Sequence, residues 1–556
     1  MVAQAAPPRR YGWSAEVRFK TEKGELLMKD VERRAASSFK VKPVAAALAI
    51  AMGAAFVAPN AGAVNFAEDG LGEVLLYQYY TVRNGFDTNI NITNTSDKTV
   101  AFKIRFREGY NSRDARDFNV VLSPFDVWNG TVTESPDGTR ARFRTSDTSC
   151  TVPQLPIALG GTTRAVDFTN FDYTGANADG GPTGFERTKE GYIEVIQMGT
   201  SAFPVSGIPE GSPFRNSVAW NAKHVNGVPR NCNAVVNGFG TNLGDTVAEF
   251  GEPENVLKGT ASLVNVQNGQ GASYQPVVLA NFFNPGFVDG VSEANLITDP
   301  ASREPSLDDV SPQIASLWGD TVDFPLSGEF TDPMAAVSAL LSRTSVINQF
   351  SVNPANNALT DWVVTFPTKY YYVDNRFGSP LVDNDPLPPF DDDDNTTVFQ
   401  LDKNGTSFAS ATAGPDAGRS CVTVGFKVWD REEFAPDVPD ELQFSPPPPD
   451  APESVICKEV NVITFNNSNL FGSALSENVS TPEEFGITSG WMQLNFPRAG
   501  EIEGGLEIQS ITGLPVIGFA MTSLENGVAG ANLLNYGLIF DHAYTRVISV
   551  ADFQFD

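Results

Sequence analysis

The chain has 556 residues, 41% hydrophobic and 19% charged, and its 67 acidic and 38 basic side chains give a net charge of −29. This excess of negative charge argues against nucleic acids and anionic membranes as partners, because proteins bind both through clusters of Lys and Arg. The 48 glycines, 38 prolines and 39 phenylalanines indicate a β-rich globular protein with many turns, not a disordered chain.

The N-terminus has the layout of a secretory signal peptide. An apolar run of 14 residues, Val44–Val57, follows several Lys and Arg, and Ala61 and Ala63 have the A-x-A spacing of a cleavage site. The run is shorter than the about 20 residues that a membrane span needs, and an uncleaved anchor is the alternative. We expect cleavage near Ala63 and a secreted or cell-surface mature chain without a membrane span. Residues 1–27 are an extension if Met28 is the true start.

The four cysteines predict two disulfides, because their number is even and the chain is expected to be exported. Three pairings are possible, and the pairing that keeps each bridge local joins Cys150 to Cys232 and Cys421 to Cys457. Free thiols are the alternative. A metal site is disfavoured because no C-x-x-C spacing occurs and the chain has only two histidines.

Residues 64–150 have the pattern of an N-terminal β-sandwich domain, with short, evenly spaced strands that favour an immunoglobulin-like arrangement. Within Thr88–Arg107, apolar and polar residues alternate on both sides of the turn sequence Asn94–Lys98. Such alternation predicts half-buried strands, and two runs around a turn predict an antiparallel hairpin. We expect the apolar face to lie on a core and the charged face to lie in water.

Residues 151–400 are predicted to form a central β-rich domain with long loops and one short helix. The helix is predicted at 332–343, where Asp332 is a suitable N-cap and a proline occupies the first turn. Thr360–Asp374 is predicted as a long strand interrupted by Pro367. Four aromatic side chains in it are candidates for stacking on sugar rings, with a cross-strand aromatic ladder as the alternative: Trp362, Tyr370, Tyr371 and Tyr372.

Residues 401–556 are predicted to form a C-terminal β-sandwich domain with a Pro-rich acidic loop at 432–453. Cys421 and Cys457 each begin a predicted strand on either side of this loop. In a simple hairpin those two strand ends lie far apart. The sequence therefore leaves three possibilities: parallel strands, strands that are not neighbours, or a different disulfide pairing.

A second Pro-rich acidic loop, at 380–395, is a candidate Ca²⁺ site. Calcium takes six to eight oxygen ligands, and consecutive carboxylates converge on one ion only in a loop. The alternative is a solvated acidic loop, and no organic cofactor is indicated. The candidate ligands are Asp383, Asp385, Asp391, Asp392, Asp393 and Asp394.

Catalytic signatures are scarce in this sequence. The only histidines are His224 and His542, and the sequence lacks the H-E-x-x-H, Walker A, G-x-S-x-G and C-x-x-C-H motifs. Carboxylates are plentiful, so a glycosidase pair remains open. Enzymatic activity is therefore uncertain, and the sequence favours a non-catalytic role.

Three segments resemble a group of exported bacterial proteins of uncharacterised function. They are "YYTVRNGFDT" (Tyr79–Thr88), "DWVVTFPTK" (Asp361–Lys369) and "EVNVITFNNSN" (Glu459–Asn469). The resemblance runs along most of the mature chain. It implies export and a β-rich fold, and it implies no site residue.

The sequence as a whole predicts a multidomain β-sandwich protein with a structural role at a cell surface or in an extracellular matrix. Surface layers, filaments and adhesins belong to this class, and Ca²⁺ is a candidate assisting ion. The expected partners are further copies, other surface proteins or polysaccharide. Val64–Gly72 and Thr545–Phe555 are candidates for strand addition between subunits, unless each pairs within its own domain. The alternatives are a secreted polysaccharide-binding module or hydrolase, and an outer-membrane β-barrel.

Overall fold

The computed structural model describes residues 63–158, 161–202, 212–283, 295–311, 313–317, 326–374, 387–390, 420–434, 454–479, 487–529 and 532–550. The predicted signal peptide lies outside these residues. The described chain is mainly β, with packed antiparallel sheets, which confirms the predicted fold class. Short 3-10 turns lie at Arg83–Gly85, Phe171–Tyr173, Gly175–Asn177, Phe185–Lys189, Pro213–Asn216, Leu307–Asp309 and Pro354–Asn356.

The first half of the described chain, residues 63–283, contains sixteen strands and three short helices. The strands are β1 (Asn65–Phe66), β2 (Val74–Thr81), β3 (Phe86–Asn94), β4 (Val100–Glu108), β5 (Asp114–Leu122), β6 (Val127–Glu134), β7 (Ala141–Thr145), β8 (Cys150–Val152), β9 (Arg164–Asp167), β10 (Glu190–Ser201), β11 (His224–Val225), β12 (Val228–Pro229), β13 (Phe250–Gly251), β14 (Leu257–Asn265), β15 (Gln270–Tyr274) and β16 (Val277–Ala280). The helices are α1 (Val218–Ala222), α2 (Cys232–Phe239) and α3 (Leu243–Glu249).

Two sheets of this half face each other as a sandwich. Sheet A has the order β1-β16-β2-β10-β4-β5-β8, with β13 also on β10, and sheet B has the order β15-β14-β3-β6-β7-β9. Their shared core is rich in aromatic rings, such as Trp128 stacked on Phe143 with 5.2 Å between centroids. Each sheet combines strands from both sides of residue 150. The boundary expected at 150 therefore does not separate two sandwiches.

The hairpin predicted at Thr88–Arg107 is wrong, although both of its strands form. Strand β3 pairs with β6 and β14, whereas β4 pairs with β5 and β10. The turn after β3 thus carries the chain from sheet B to sheet A, and the two apolar faces meet across the core. Ile90 and Ile92 of β3 lie in one buried cluster with Phe102 and Ile104 of β4.

The charged face of β4 does not lie in water, which corrects the second expectation for this segment. Every residue of β4 is buried. Three elements cover the outer face of sheet A: the helices α1 to α3 at one end, the segment 297–309 in the middle, and a helix at 369–373 at the other end. The alternation of β4 therefore separates an apolar face from a buried, ion-paired face.

The second half of the described chain, residues 295–550, contains seventeen strands and two helices. The strands are β17 (Ile314–Ser316), β18 (Ser327–Glu329), β19 (Ser342–Arg343), β20 (Ser345–Ser351), β21 (Ala358–Thr365), β22 (Val422–Asp430), β23 (Ser454–Ile456), β24 (Val460–Phe465), β25 (Ser476–Val479), β26 (Ser489–Asn495), β27 (Glu501–Glu503), β28 (Ile508–Thr512), β29 (Leu514–Pro515), β30 (Ile517–Ala529), β31 (Asn532–Asp541), β32 (Ala543–Thr545) and β33 (Val547–Val550). The helices are α4 (Pro333–Leu341) and α5 (Lys369–Val373).

Most of these strands form a second sandwich. Sheet C has the order β23-β22-β26-β20-β32, and sheet D has the order β25-β24-β21-β30-β31. Phe350 of sheet C stacks on Phe465 of sheet D at 4.5 Å between centroids. Helix α4 forms where the sequence predicts it, with the Asp332 carboxylate accepting a hydrogen bond from the amide of Met334. Its side chains from Met334 to Leu341 are buried all round, so it is a core helix.

The long strand predicted at Thr360–Asp374 is wrong in its second part. Strand β21 ends at Thr365, and residues 369–373 form the helix α5. Pro367 lies two residues after the end of the strand. It lacks the amide N–H that a strand ladder needs, and its fixed φ suits the start of a helical turn. The three tyrosines consequently point into the core and not along a strand face.

The two sandwiches share one compact unit. The outer face of sheet D packs on the first sandwich, with the ring of Phe519 4.9 Å from that of Tyr274. Buried polar contacts cross the same boundary. The guanidinium of Arg113 lies 2.8 Å from the carboxylate of Asp374, and the hydroxyl of Thr365 donates to the carbonyl of Gln78.

Both disulfides are the local ones. Cys150–Cys232 fastens α2 to β8, so it holds the helical cover on sheet A. Cys421–Cys457 joins residues next to β22 and β23, which pair with Val422 opposite Ile456. The strands that follow Cys421 and Cys457 in the sequence are β22 and β24. They lie in different sheets and do not form a hairpin, so their starts can be close enough for a disulfide. Among the described residues, no helix has the length and apolar character required to cross a membrane.

Candidate functional site

The predicted ligand residues do not form a surface site in the described part of the chain. Trp362, Tyr370, Tyr371 and Tyr372 are all buried, and the Trp362 indole donates its hydrogen bond to the carbonyl of Gln349. Tyr370 lies under the guanidinium of Arg107. These rings consequently have no open face on which a sugar could stack. The predicted calcium ligands Asp383, Asp385, Asp391, Asp392, Asp393 and Asp394 lie outside the described residues.

A different acidic group occurs on the segment that covers sheet A. Carboxylate oxygens of Glu304, Asp308 and Asp309 lie within 4.8 Å of one another. Burial and a hydrogen bond to Glu304 raise the pKa of Asp309 to about 8. At neutral pH Asp309 and Glu304 therefore share a proton, which relieves the repulsion between their carboxyls.

The C-terminal strands β31, β32 and β33 form the most distinctive surface of the described chain. Each is the last strand of its sheet among the described residues: β31 ends sheet D, β32 ends sheet C, and β33 ends the small sheet β27-β28-β33. An edge strand offers unpaired backbone N–H and C=O groups at the spacing of a further strand. We call residues 532–550 the C-terminal edge.

Large apolar side chains are exposed along this edge. Five of them are between 45% and 54% exposed: Tyr536, Leu538, Tyr544, Val547 and Val550. Single exposed apolar residues are ordinary on a protein surface. Five within fifteen residues are a high local concentration, and clustered exposed apolar residues are a mark of interaction sites.

The edge lacks the Lys and Pro residues that commonly prevent strand addition, while β31 lies against the β14–β15 turn and β15, and its pairing with β30 contains a bulge. Residues 532–550 contain no proline and no lysine, and their only carboxylate and guanidinium are Asp541 and Arg546. Natural edge strands are usually protected by Lys, Pro, bulges or a covering element. The edge is also locally neutral, although the chain as a whole has a net charge of −29.

A hydrogen-bond cluster fixes the edge to the second sandwich. The amide nitrogen of Asn348 donates to the carbonyl of Phe540 at 2.9 Å and contacts His542 Nδ1 at 3.0 Å. His542 Nε2 lies 3.0 Å from the carbonyl of Val363, to which it donates. Burial lowers the pKa of His542 to about 4, so the ring is neutral near pH 7 and Nδ1 can accept. The junction between β31 and β32 is therefore held rigidly.

A stacked tryptophan pair lies on the outer face of sheet C, and sequence reasoning missed it. Trp429 of β22 and Trp491 of β26 are directly opposite each other, with centroids 3.9 Å apart and planes within 6° of parallel. Trp491 is 38% exposed. The alternation in β22 could have indicated this exposure. Trp429 lies on the same strand face as Lys427, which is exposed, and on the opposite face from Val428, which is buried.

Comparisons with known proteins add no assignment to this geometry. No protein family, curated protein or solved structure matches the chain.

Proposed function

We propose that this chain is an exported structural protein of a cell surface or extracellular matrix, and that copies of it assemble by adding β-strands at the C-terminal edge. The observation that carries the proposal is the succession of three edge strands, β31 to β33, with five exposed apolar side chains. Backbone groups at strand spacing are satisfied best by another strand, and exposed apolar residues add affinity.

The other segment considered for strand addition does not support this role. Val64 is fully buried, and its amide donates to the carbonyl of Ile314. Asn65 and Phe66 pair with Ala280 and Leu279. The start of the described chain is thus occupied within its own unit, and the C-terminal edge alone remains as the donor or acceptor in this proposal.

Charge sets the conditions for assembly. Copies of this strongly acidic chain repel one another at low ionic strength, and the Debye length falls from about 30 Å at 0.01 M salt to about 8 Å at 0.15 M. We expect a monomer at low salt and growth when salt or millimolar Ca²⁺ screens the repulsion. The neutral edge itself adds little to the repulsion.

Light scattering of the purified chain tests the proposal. In 0.15 M salt with and without Ca²⁺, wild type should form large particles, and the double variant Leu538→Lys with Val547→Lys should remain monomeric. Val228→Lys is the matched control, because Val228 is 51% exposed and lies on β12, next to the helices that cover sheet A. A wild-type monomer in every condition, or equal growth of the edge variant and wild type, would contradict the proposal.

The tryptophan pair supports polysaccharide binding as a second candidate function. An exposed indole is a suitable stacking surface for a sugar ring, and Gln349 and Lys427 lie next to the pair as polar groups. Soluble cello- and chito-oligosaccharides should then quench tryptophan fluorescence in wild type and in Phe171→Ala, an exposed aromatic control, but not in Trp491→Ala. Equal quenching in all three proteins would contradict this candidate.

A further inference from the structure

A cleft of about 240 Å³ lies between the two sandwiches, beside β32. Phe66 and Val277 contribute apolar wall from the first sandwich, and Leu341 and Val516 contribute it from the second. The volume exceeds the 150 Å³ or so of an engineered protein cavity that holds benzene. A mostly apolar cleft with a few polar groups is the usual form of a small-molecule site.

One buried cation lines this cleft without a counter-ion. Arg343 is 6% exposed, and it makes no ion pair with any carboxylate of the described residues. Its Nη1 donates to the carbonyls of Leu340 and Ser342, each at 2.8 Å. Its Nε and Nη2 make no hydrogen bond with the described residues, so half of the guanidinium fork is unused.

A second cation near Arg343 increases the free-energy cost of burying this guanidinium without a counter-ion. The guanidinium lies 3.5 Å from the ring centre of Tyr544, and Arg546 donates to the same Leu340 carbonyl. Burial and the second cation lower the pKa of Arg343 to about 9. The end of α4 offsets part of this charge through its carbonyls. Asp541 is the one acid in the lining, but it is exposed and makes no ion pair with Arg343.

A second buried polar group in the same wall is also incompletely bonded. Gln78 is 4% exposed, and its Nε2 donates to the carbonyl of Gln275. Its Oε1 accepts no hydrogen bond from the described residues. The cleft thus combines an unused pair of cationic donors, an unused amide acceptor and apolar walls.

We propose that this cleft binds a small carboxylate with an apolar body, and that Arg343 holds the carboxylate. The planar fork of arginine matches a carboxylate through two parallel N–H···O bonds. The apolar body of the ligand lies against Phe66, Val277 and Leu341, and a hydroxyl or N–H on it would satisfy Gln78. The lining includes Asp541, His542 and Tyr544 of the C-terminal edge, but the site needs no second copy and holds whether or not the protein assembles.

Calorimetry on the full chain with benzoate and its neutral isostere benzamide tests the site. Wild type should bind benzoate about tenfold to a hundredfold more tightly than benzamide, as expected for hydrogen bonds to a charged group. Arg343→Met should remove this preference and leave the affinity for benzamide unchanged. Arg431→Met, at an exposed arginine after β22, is the control and should behave as wild type.

A second variant covers the possibility that Arg343→Met fails to fold because α4 loses its cap. Val277→Trp fills the cleft from a partly exposed position and should abolish binding of both compounds while Arg343 remains in place. Equal wild-type affinity for benzoate and benzamide would overturn the proposal. So would no binding of either at millimolar concentration, or full benzoate binding by Val277→Trp.

Discussion

Strands β3 and β4 follow one another in the chain with the same alternation, yet their polar faces have opposite surroundings. In β3 every second residue is partly exposed, and sheet B turns that face to water. In β4 the polar residues Lys103, Arg105 and Arg107 are at most 2% exposed. A period of two therefore shows that a strand has two chemically different faces, but it does not show what lies against each.

The buried face of β4 is stabilised by pairing of its charges. Arg107 Nε lies 2.8 Å from Glu194 Oε1 on β10, and Arg105 lies 3.3 Å from Asp114 on β5. Arg105 also donates to the carbonyl of Pro305 on the covering segment. Removing two or more charges from water costs several kcal/mol per ion unless partners with good geometry replace the water. Sheet A supplies those partners from its own neighbouring strands.

The largest expected effect comes from removing one of these partners. Glu194→Gln should lower the free energy of unfolding by about 3–5 kcal/mol, because it leaves Arg107 buried with an incomplete counter-charge. Urea denaturation followed by circular dichroism measures the change. A loss below about 1 kcal/mol would mean that water reaches the face of β4 and that the contrast with β3 is false.

A smaller effect of opposite sign is expected at Lys103. Burial, together with the charge of Arg105, lowers its pKa from 10.5 to about 8, and its nearest acid, Asp117, is 3.6 Å away. Charged Lys103 therefore costs stability, and Lys103→Met should raise the free energy of unfolding by about 1–2 kcal/mol at pH 7, after the lost hydrogen bond to Ser302 is allowed for.

The pH dependence of the Lys103 effect gives an independent check. Between pH 8 and 10.5 the unfolded chain binds more protons at Lys103 than the folded chain, so wild-type stability gains from this group as pH rises. The advantage of Lys103→Met should accordingly shrink across that range in parallel urea titrations. A constant difference from pH 7 to 10.5 would show that Lys103 keeps an ordinary pKa.

The smallest effect is expected on β3. Asn91 occupies a polar-face position of β3, is partly exposed, and its side chain makes no hydrogen bond with the described residues. Asn91→Ala should change the free energy of unfolding by less than about 0.5 kcal/mol, as most surface substitutions do. Measured in the same urea titrations as Glu194→Gln, this variant gives the effect of a substitution on a strand face that lies in water. A decrease of about 2 kcal/mol or more in the free energy of unfolding would show that the polar face of β3 is also covered.

The same contrast explains what could be predicted from the sequence. Alternation locates β3 and β4 closely, and Asp332 before a proline locates the start of α4, because these signals are local. The pairing of β3 and β4 with distant strands is not local, so the hairpin prediction failed. The segments that cover the charged side chains of β4 are 297–309 and 369–373. They lie about 200 residues or more beyond β4, so no local pattern predicts them.

The candidate functional surfaces also divide into those with a local sequence signal and those formed by residues far apart in the chain. The C-terminal edge could be suspected from its sequence, because a strand-rich stretch without Lys or Pro is unusual for an edge. The cleft at Arg343 could not, since its walls come from elements as distant in sequence as β1, β16, β19 and β32, and its unpaired charge is visible only when all neighbours are known. The tyrosines of α5 were misjudged because aromatic residues indicate burial as readily as binding.

The strand order of sheet A has a consequence for how the chain acquires its fold. Its second and third strands along the sheet are β16 and β2, which are about 200 residues apart in sequence, and β10 then separates β2 from β4. Long-range pairing of this kind is slow to form because a long loop must close first. A nascent chain therefore cannot complete its first sandwich until Val277–Ala280 has emerged, and until then β2 presents an open edge that other chains or chaperones can contact.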